Sequence, residues 1–200
     1  GKSLADDVEC HANAFLVATA TAAAHYGERR LAIDGKICPV LEEGVRIVQT
    51  QAKVWFHRNP ILPRIEPSQG YEARRACTPR RAALLYSGGI DALATLRRNR
   101  LMYPAGHPSS IRDCLHLFGM HPVDYLGERP CPKRLALWER NLPTMRKITG
   151  VADVELHLMQ TNQHGLFDDM AFQAYQYHSA TLLGLPQLFV DLISDVPWTR

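Results

Sequence analysis

The sequence lacks the cysteine pattern of a disulfide-stabilised or zinc-binding protein. Its cysteines are odd in number, scattered along the chain and without a Cys-x-x-Cys pair: Cys10, Cys38, Cys77, Cys114 and Cys131. This usage predicts reduced thiols in a cytoplasmic protein rather than a cross-linked secreted one. Neither His116 with His121 nor His157 with His164 has the spacing of a zinc site.

Long apolar runs, internal repeats and a strong charge imbalance are also missing. The apolar stretch at 14–24 is too short to cross a bilayer, contains threonines and follows acidic residues, so it predicts neither a membrane helix nor a signal peptide. The net charge of +3 does not by itself indicate nucleic-acid binding. The 200 residues suffice for one sizeable α/β domain, or for one such domain with a small N-terminal layer.

One stretch, residues 82–92, carries most of the functional information. It reads Ala-Ala-Leu-Leu-Tyr-Ser-Gly-Gly-Ile-Asp-Ala, which predicts a buried strand, a tight turn and then a helix. Gly88 and Gly89 lack Cβ atoms, so the backbone there can adopt positive φ and approach a ligand closely. The amides at the start of the helix suit a phosphate, and the Ser87 hydroxyl can donate to one of its oxygens.

Asp91 allows two interpretations. A carboxylate beside a phosphate is repulsive unless a cation offsets it, and Mg²⁺ is held by carboxylates and phosphates together. The alternative is that Asp91 simply caps the helix. The stretch does not match the Walker pattern, and Gly1-Lys2-Ser3, which has the Walker ending, follows no strand.

Residues Ser87-Gly88-Gly89-Ile90-Asp91-Ala92 resemble the Ser-Gly-Gly-x-Asp-Ser signature of the PP-loop ATP pyrophosphatases, a superfamily of adenine nucleotide α-hydrolase-like enzymes. The resemblance is nearest to the 7-cyano-7-deazaguanine synthase-like and asparagine synthetase-like members. Ala92 replaces the last serine, which removes one hydroxyl donor. The resemblance implies a Rossmann-like, HUP-type fold, with Ser87 and Asp91 as catalytic residues and ATP held by all six positions. It also implies Mg²⁺ near Asp91, held through phosphate.

The rest of the chain alternates helices with strands. Helices are expected at about 5–26, 40–56, from 91 onward, 133–149 and 167–183, and strands at 31–35, 61–65, 82–86, 114–119, 153–158 and 187–193. This order predicts an α/β fold with a parallel sheet and helices on both faces. Because ligands bind at the carboxyl ends of such strands, Ser194 and Asp195 are expected beside the loop.

The predicted organisation is an accessory α/β segment at 1–67, a linker at 68–81 and the nucleotide-binding domain at 82–200. Family members usually continue past the strand expected at 187–193, so the chain is either a compact member or part of a longer protein. The linker carries four arginines, which fit either a solvated connector or a basic rim beside the phosphate site. They are Arg74, Arg75, Arg80 and Arg81.

Three hypotheses follow for the function. The first is an enzyme that adenylates a carboxylate or carbonyl oxygen of a small molecule and passes the product to an amine, ammonia or a sulfur donor. The second, suggested by Ala92, is a non-catalytic nucleotide-binding module. The third, suggested by the arginines at 74–81 and 97–100, uses the same chemistry on a tRNA or DNA base. His178 is a candidate substrate contact or a half-buried helix residue, and Cys114 and Cys131 are candidate sulfur carriers or inert thiols.

Overall fold

The computed structural model describes residues 11–56, 61–73, 81–163, 167 and 169–189. The chain divides into two compact units. The N-terminal unit comprises Asp7–Arg75 and Ala171–Phe189. The second, here called the loop unit because it contains Ser87–Asp91, comprises Gly1–Asp6, Ala76–Met170 and Val190–Arg200.

The N-terminal unit begins with helix α1 (Ala12–His25), strand β1 (Arg30–Ile33), helix α2 (Pro39–Trp55) and strand β2 (Arg64–Pro67). Strands β1 and β2 pair in parallel. The predicted helix at 40–56 and the predicted strands at 31–35 and 61–65 are present within a few residues. The helix predicted at 5–26 is present over its described part, and residues 5–10 lie outside the described residues. Pro39 suits the first turn of α2, where its missing N–H costs no hydrogen bond. The buried core between these elements is apolar and contains Ala12, Leu16, Ala20, Ile33, Ile37 and Ile65.

The last described segment also belongs to the N-terminal unit. It consists of α5 (Met170–Phe172), a π-helical turn (Gln173–Tyr177), α6 (His178–Gly184) and a 3-10 helix (Leu185–Phe189). A Cβ atom on Gly184 would lie 3.4 Å from the carbonyl oxygen of Ala14, so small residues let α6 approach α1 closely. The predicted division placed residues 171–189 in the nucleotide-binding domain, and the structure packs them on α1 instead.

The prediction of a strand at 187–193 is wrong for the residues that the structure describes. Residues 187–189 lie in the 3-10 helix, and 190–193 lie outside the described residues. Leu185, Pro186 and Phe189 are buried there, and a 3-10 turn brings residues three apart, such as Pro186 and Phe189, onto one face. A short apolar run does not distinguish a buried strand from a buried helical turn.

The loop unit contains β3 (Ala82–Leu85), α3 (Ile90–Met102), β4 (Ile111–Phe118), a 3-10 turn (Pro122–Asp124), the short strands β5 (Tyr125–Leu126) and β6 (Arg129–Pro130), α4 (Pro132–Val151) and β7 (Glu155–Gln160). Strands β3, β4 and β7 form a parallel sheet in the order β3-β4-β7. This confirms the α/β class and the parallel sheet.

Helices α3 and α4 pack on the face of this sheet that carries Leu84 and Cys114. From α3, Ala92 and Leu96 enter the core, and from α4, Met145 does so. These side chains fix α3 directly behind β3, so the turn between the two elements is held at the carboxyl edge of the sheet. Among the described residues, no helix is both long enough and apolar enough to cross a membrane.

Candidate functional site

The turn between β3 and α3 has the backbone geometry that the sequence predicts. Gly88 has φ +77°, a left-handed backbone conformation that residues other than glycine adopt only at an energetic cost. A Cβ atom built on Gly88 would also lie 2.6 Å from Cε of Met145, so α4 closes on the turn from behind. The positive φ therefore favours glycine at this position, and a side chain there would also displace the flexible end of Met145.

The mouth of the turn is open to solvent. Ser87, Gly89, Ile90 and Asp91 are all exposed. Gly89 donates its N–H to Oγ of Ser87 at 3.2 Å, so the Ser87 hydroxyl proton is directed elsewhere and can bond to a bound anion. No side chain caps α3, and the first amides of a helix have no intrahelical acceptor. Together these groups form a set of hydrogen-bond donors at the positive end of the helix dipole.

Asp91 lies in the first turn of α3 and does not act as its cap, because Gly89 occupies that position. Within the described part of the chain, the Asp91 carboxylate makes neither a hydrogen bond nor an ion pair. An unpaired carboxylate therefore lies beside the uncapped amides at the start of α3. Asp91 therefore does not cap the helix, and its carboxylate is available for other contacts.

Ala92 contributes differently from the other loop residues. Its side chain is 4% exposed and belongs to the core with Tyr86 and Leu96, so it points away from the open turn. Only the backbone amide of Ala92 can serve an anion. A hydroxyl at this position would enter the core rather than the site, which removes the expected role of the missing serine.

Behind the turn lies a buried histidine that the sequence did not identify as part of the site. His116, in β4, is 6% exposed, and its Nδ1 lies 2.8 Å from the carbonyl oxygen of Tyr86. Since a carbonyl only accepts, Nδ1 carries the proton and Nε2 is left as an acceptor. Burial lowers the pKa of His116, although its bond to Tyr86 opposes this, so the neutral ring is favoured.

An aromatic wall accompanies His116. Its ring stacks on Trp138 of α4 with centroids 5.4 Å apart and planes 10° apart, and Trp138 also contacts Phe118. Three buried polar atoms there have no partner among the described residues, namely Tyr86 Oη, His116 Nε2 and Trp138 Nε1. Because β3 leads into the turn through Tyr86, His116 holds the residue from which the turn departs.

The carboxyl ends of β4 and β7 meet at Gly119. Its φ is +93°, and a Cβ atom there would overlap the carbonyl oxygen of Thr161. Thr161 in turn donates its N–H to the carbonyl oxygen of Phe118 at 3.0 Å. The contact keeps β4 and β7 together at the edge of the sheet from which the Ser87 turn also emerges.

A second polar cluster lies at the opposite, amino end of the strands. Asp113 is fully buried, both its oxygens receive hydrogen bonds from Arg81, and His157 Nε2 lies 2.9 Å from its Oδ1. Glu155 lies 3.6 Å from Arg81 and 3.8 Å from His157. Burial alone would raise the pKa of Asp113, but the bonds from His157 and Arg81 outweigh it and hold the pKa below its usual value.

Asp113, Glu155 and His157 place ligand atoms within 4.8 Å of one another, which is a metal-like spacing. The donor set does not fit a metal, however, because Arg81 already occupies both oxygens of Asp113. The cluster is a buried ion network that joins the strands. The proposed basic rim beside the phosphate site is therefore wrong for Arg81, and Arg74, Arg75 and Arg80 lie outside the described residues.

The remaining predicted site residues are His178, Ser194, Asp195 and the candidate sulfur carrier Cys114. His178 begins α6 in the N-terminal unit and is half-buried. Ser194 and Asp195 lie outside the described residues. Cys114 is fully buried, and burial raises the pKa of its thiol to about 12, so it is inert rather than a sulfur carrier.

Arg100 is likewise engaged within the fold rather than free for nucleic acid. Its guanidinium donates to the carbonyl oxygens of Ala152 at 2.7 Å and Ile111 at 2.7 Å, and to Ser110 Oγ at 2.7 Å. Arg97 and Arg98 are exposed on α3. The basic cluster at 97–100 thus supplies two exposed cations rather than three.

The best-defined functional feature of the described chain is therefore an open donor-rich turn, supported from behind by Met145 and His116. No protein-family model, no curated protein and no solved structure matches this chain.

Proposed function

We propose that the chain is an ATP-dependent, AMP-forming enzyme of the PP-loop pyrophosphatase type, with a Rossmann-like, HUP-type fold and a cytoplasmic location. The observation that carries the proposal is the left-handed Gly88 between an exposed Ser87 and the uncapped start of α3. A turn of this shape at the carboxyl end of a parallel strand is a site for a phosphate chain.

In this proposal the protein groups act mainly by position. The amides of Ile90, Asp91 and Ala92 donate to phosphate oxygens, and the Ser87 hydroxyl adds one further bond. A carboxylate or carbonyl oxygen of a small-molecule substrate attacks the α-phosphorus. The bond to the bridging oxygen breaks, and pyrophosphate leaves with the electron pair. An amine, ammonia or a sulfur donor then displaces AMP from the adenylated substrate.

Asp91 gives the site its requirement for a cation. Its unpaired carboxylate and the phosphate oxygens are the hard oxygen donors that Mg²⁺ binds, so these groups fit the ion together. When bound, Mg²⁺ would supply the positive charge that offsets the carboxylate and the leaving pyrophosphate. Asp91 holds that charge in place beside the turn.

A binding test distinguishes a specific role of the turn in phosphate binding from a general effect of backbone strain. Gly88→Ala and Gly127→Ala both place a side chain at positive φ, +77° and +63° respectively, but only Gly88 lies in the proposed site. Calorimetry with Mg·ATP should show loss of binding for Gly88→Ala and unchanged affinity for Gly127→Ala. Unchanged affinity in folded Gly88→Ala would contradict the phosphate-loop assignment.

A product test separates an enzyme from a binding module. Incubation of α-labelled ATP with the protein and a metabolite extract should yield AMP and pyrophosphate, and only with extract present. Asp91→Asn should slow this turnover sharply while ATP still binds, because an amide is a poorer metal ligand. ADP as the main product would refute the chemistry. ATP binding without any turnover would favour the non-catalytic module.

Nucleic acid is the less favoured substrate. The arginines that motivated it include Arg81 and Arg100, and both are committed to bonds within the fold. If the acceptor were a tRNA or DNA base, affinity for nucleic acid would fall steeply with added salt.

A further inference from the structure

The N-terminal unit contains a cavity of about 360 Å³ that is separate from the Ser87 turn. It lies between the end of α1, the last two turns of α2 and the π-helical turn. Cavities of about 300 to 1,000 Å³ are the usual size of small-molecule sites. Single π-helical turns inside α-helices are also frequent at functional sites, and Gln176 of this one lines the cavity.

Gln49 gives the cavity its first specific polar group. The residue is 2% exposed, and its Nε2 donates to the carbonyl oxygen of Ala20 at 2.7 Å. That bond fixes the amide orientation, since Ala20 offers only an acceptor. The other end, Oε1, is buried and has no partner among the described residues. A buried acceptor without a partner carries a desolvation cost that a donor from a ligand would remove.

Lys53 supplies a positive charge one helical turn away. Residues four apart on a helix lie on the same face, with Cβ atoms about 5–6 Å apart. Lys53 is half-buried and lines the cavity, and in the part of the chain that the structure describes it has no ion-pair partner. The described lining contains no carboxylate, so this charge is not balanced within the cavity.

The remaining lining is mainly apolar or aromatic, with Thr21, His25 and Gln176 as further polar residues. Ala24, Ala52, Phe56 and Tyr26 all line the cavity and offer no charge. A ligand that uses both Gln49 and Lys53 combines an apolar body with two polar ends. One end must be a hydrogen-bond donor for Gln49, and the other an anion for Lys53.

We infer that this cavity binds a small organic carboxylate with an apolar, planar body and an N–H donor. The N–H bonds to Oε1 of Gln49 and the carboxylate pairs with Lys53. The site is independent of the proposed ATP chemistry, because every residue that carries it belongs to the N-terminal unit.

Three related probes test each polar contact by titration of the full chain, followed by nuclear magnetic resonance. Indole-3-acetate has both groups, indole-3-acetamide lacks the charge, and 1-methylindole-3-acetate lacks the N–H. Loss of the charge should weaken binding roughly tenfold to hundredfold, and loss of the N–H about threefold to tenfold. Shifted amide signals should come from the ends of α1 and α2.

Variants assign each effect to a residue. Lys53→Met should abolish the preference for the carboxylate over its amide, whereas Lys147→Met, an exposed lysine of α4, should preserve it. Gln49→Met should abolish the preference for the free N–H, and exposed Gln51→Met should keep it. Because each comparison is a ratio of two ligands on one variant, a change in stability does not mimic the result.

Several results would overturn the inference. One is the absence of saturable binding by all three probes in the millimolar range to the folded wild-type chain. Equal binding of the three would do so as well, since it would show an unspecific apolar contact. Retained discrimination in Lys53→Met or Gln49→Met would assign the selectivity to other groups.

Discussion

His116 donates its Nδ1 proton to the carbonyl oxygen of Tyr86, the residue that immediately precedes the Ser87 turn. The bond is 2.8 Å long, and both residues are buried. The imidazole therefore stands where the strand ends and the turn begins. In this position it acts on the turn without reaching the proposed phosphate site.

The first prediction concerns this bond. His116→Leu should destabilise the chain by about 1–3 kcal/mol, because the buried carbonyl of Tyr86 loses its donor. His116→Asn should retain part of that stability, since its amide N–H₂ can reach the position of Nδ1. Urea unfolding measures both. Equal stability of wild type and His116→Leu would show that the bond contributes nothing.

The second prediction is a pH dependence with a defined sign. The pKa of His116 is lower in the folded chain than its ordinary value of 6.5, so the unfolded chain binds the proton more readily. Stability should therefore fall as pH drops through 6.5 toward the folded pKa, and be fully present above 6.5. The stability difference between wild type and His116→Asn, measured from pH 7.5 to 5.5, should shrink as acid is added. A difference independent of pH would contradict this.

The third prediction concerns the buried network. Asp113→Ala removes the partner of Arg81 and His157 and should cost about 3 to 5 kcal/mol. The control is Glu66→Ala, which breaks the ion pairs of Glu66 with the exposed guanidinium groups of Arg30 and Arg64 and should change the unfolding midpoint little. The Asp113 pKa is lowered in the folded state, so its contribution is present above the usual carboxyl pKa of 3.8 and is lost as pH falls through the folded value. The free energies of unfolding of wild type and Asp113→Ala should therefore converge as the pH falls.

The fourth prediction compares two glycines. Gly119 and Gly127 both have positive φ, +93° and +63°, but a Cβ atom would meet backbone only at Gly119. Gly119→Ala should therefore be considerably less stable than Gly127→Ala, because the sheet edge must also move. Thermal unfolding of the two variants side by side measures this. Equal unfolding midpoints would mean that the backbone at Thr161 moves aside at little energetic cost.

The fifth prediction concerns Ala92→Ser. The side chain is 4% exposed in the core, so an added hydroxyl cannot reach a phosphate at the open turn. ATP affinity should stay unchanged, and stability should fall slightly from burying a polar group. Calorimetry gives the affinity. Tighter ATP binding would show that residue 92 faces the nucleotide after all.

Local patterns predicted the turn well, and distant contacts explain what they missed. The apolar strand, the glycines and the helix at 82–102 are adjacent in sequence, so the strand–turn–helix arrangement follows from residue types alone. His116 lies 30 positions from its partner Tyr86, and His157 lies 44 positions from Asp113. No pattern within a short stretch of sequence indicates such a pairing.

The error at 187–189 has a related cause. Gln187-Leu188-Phe189 carries residue types that suit a strand as well as a buried turn. Which of the two forms depends on where the chain can bury Leu185 and Phe189. The decisive contact is the close approach of α6 to α1, set by Gly184 against Ala14, and the two segments are far apart in the sequence.

The packing of α6 on α1 also sets an order of events during synthesis on the ribosome. The N-terminal unit is interrupted by residues 76–170 of the loop unit, so α1 emerges long before α6 does. Until then the small apolar surface of α1 that receives Gly184 remains uncovered. Domains usually fold as units from the N-terminus. Here residues 76–170 of the loop unit are translated before the N-terminal unit can close, so the α1 surface that receives Gly184 stays uncovered while they are made.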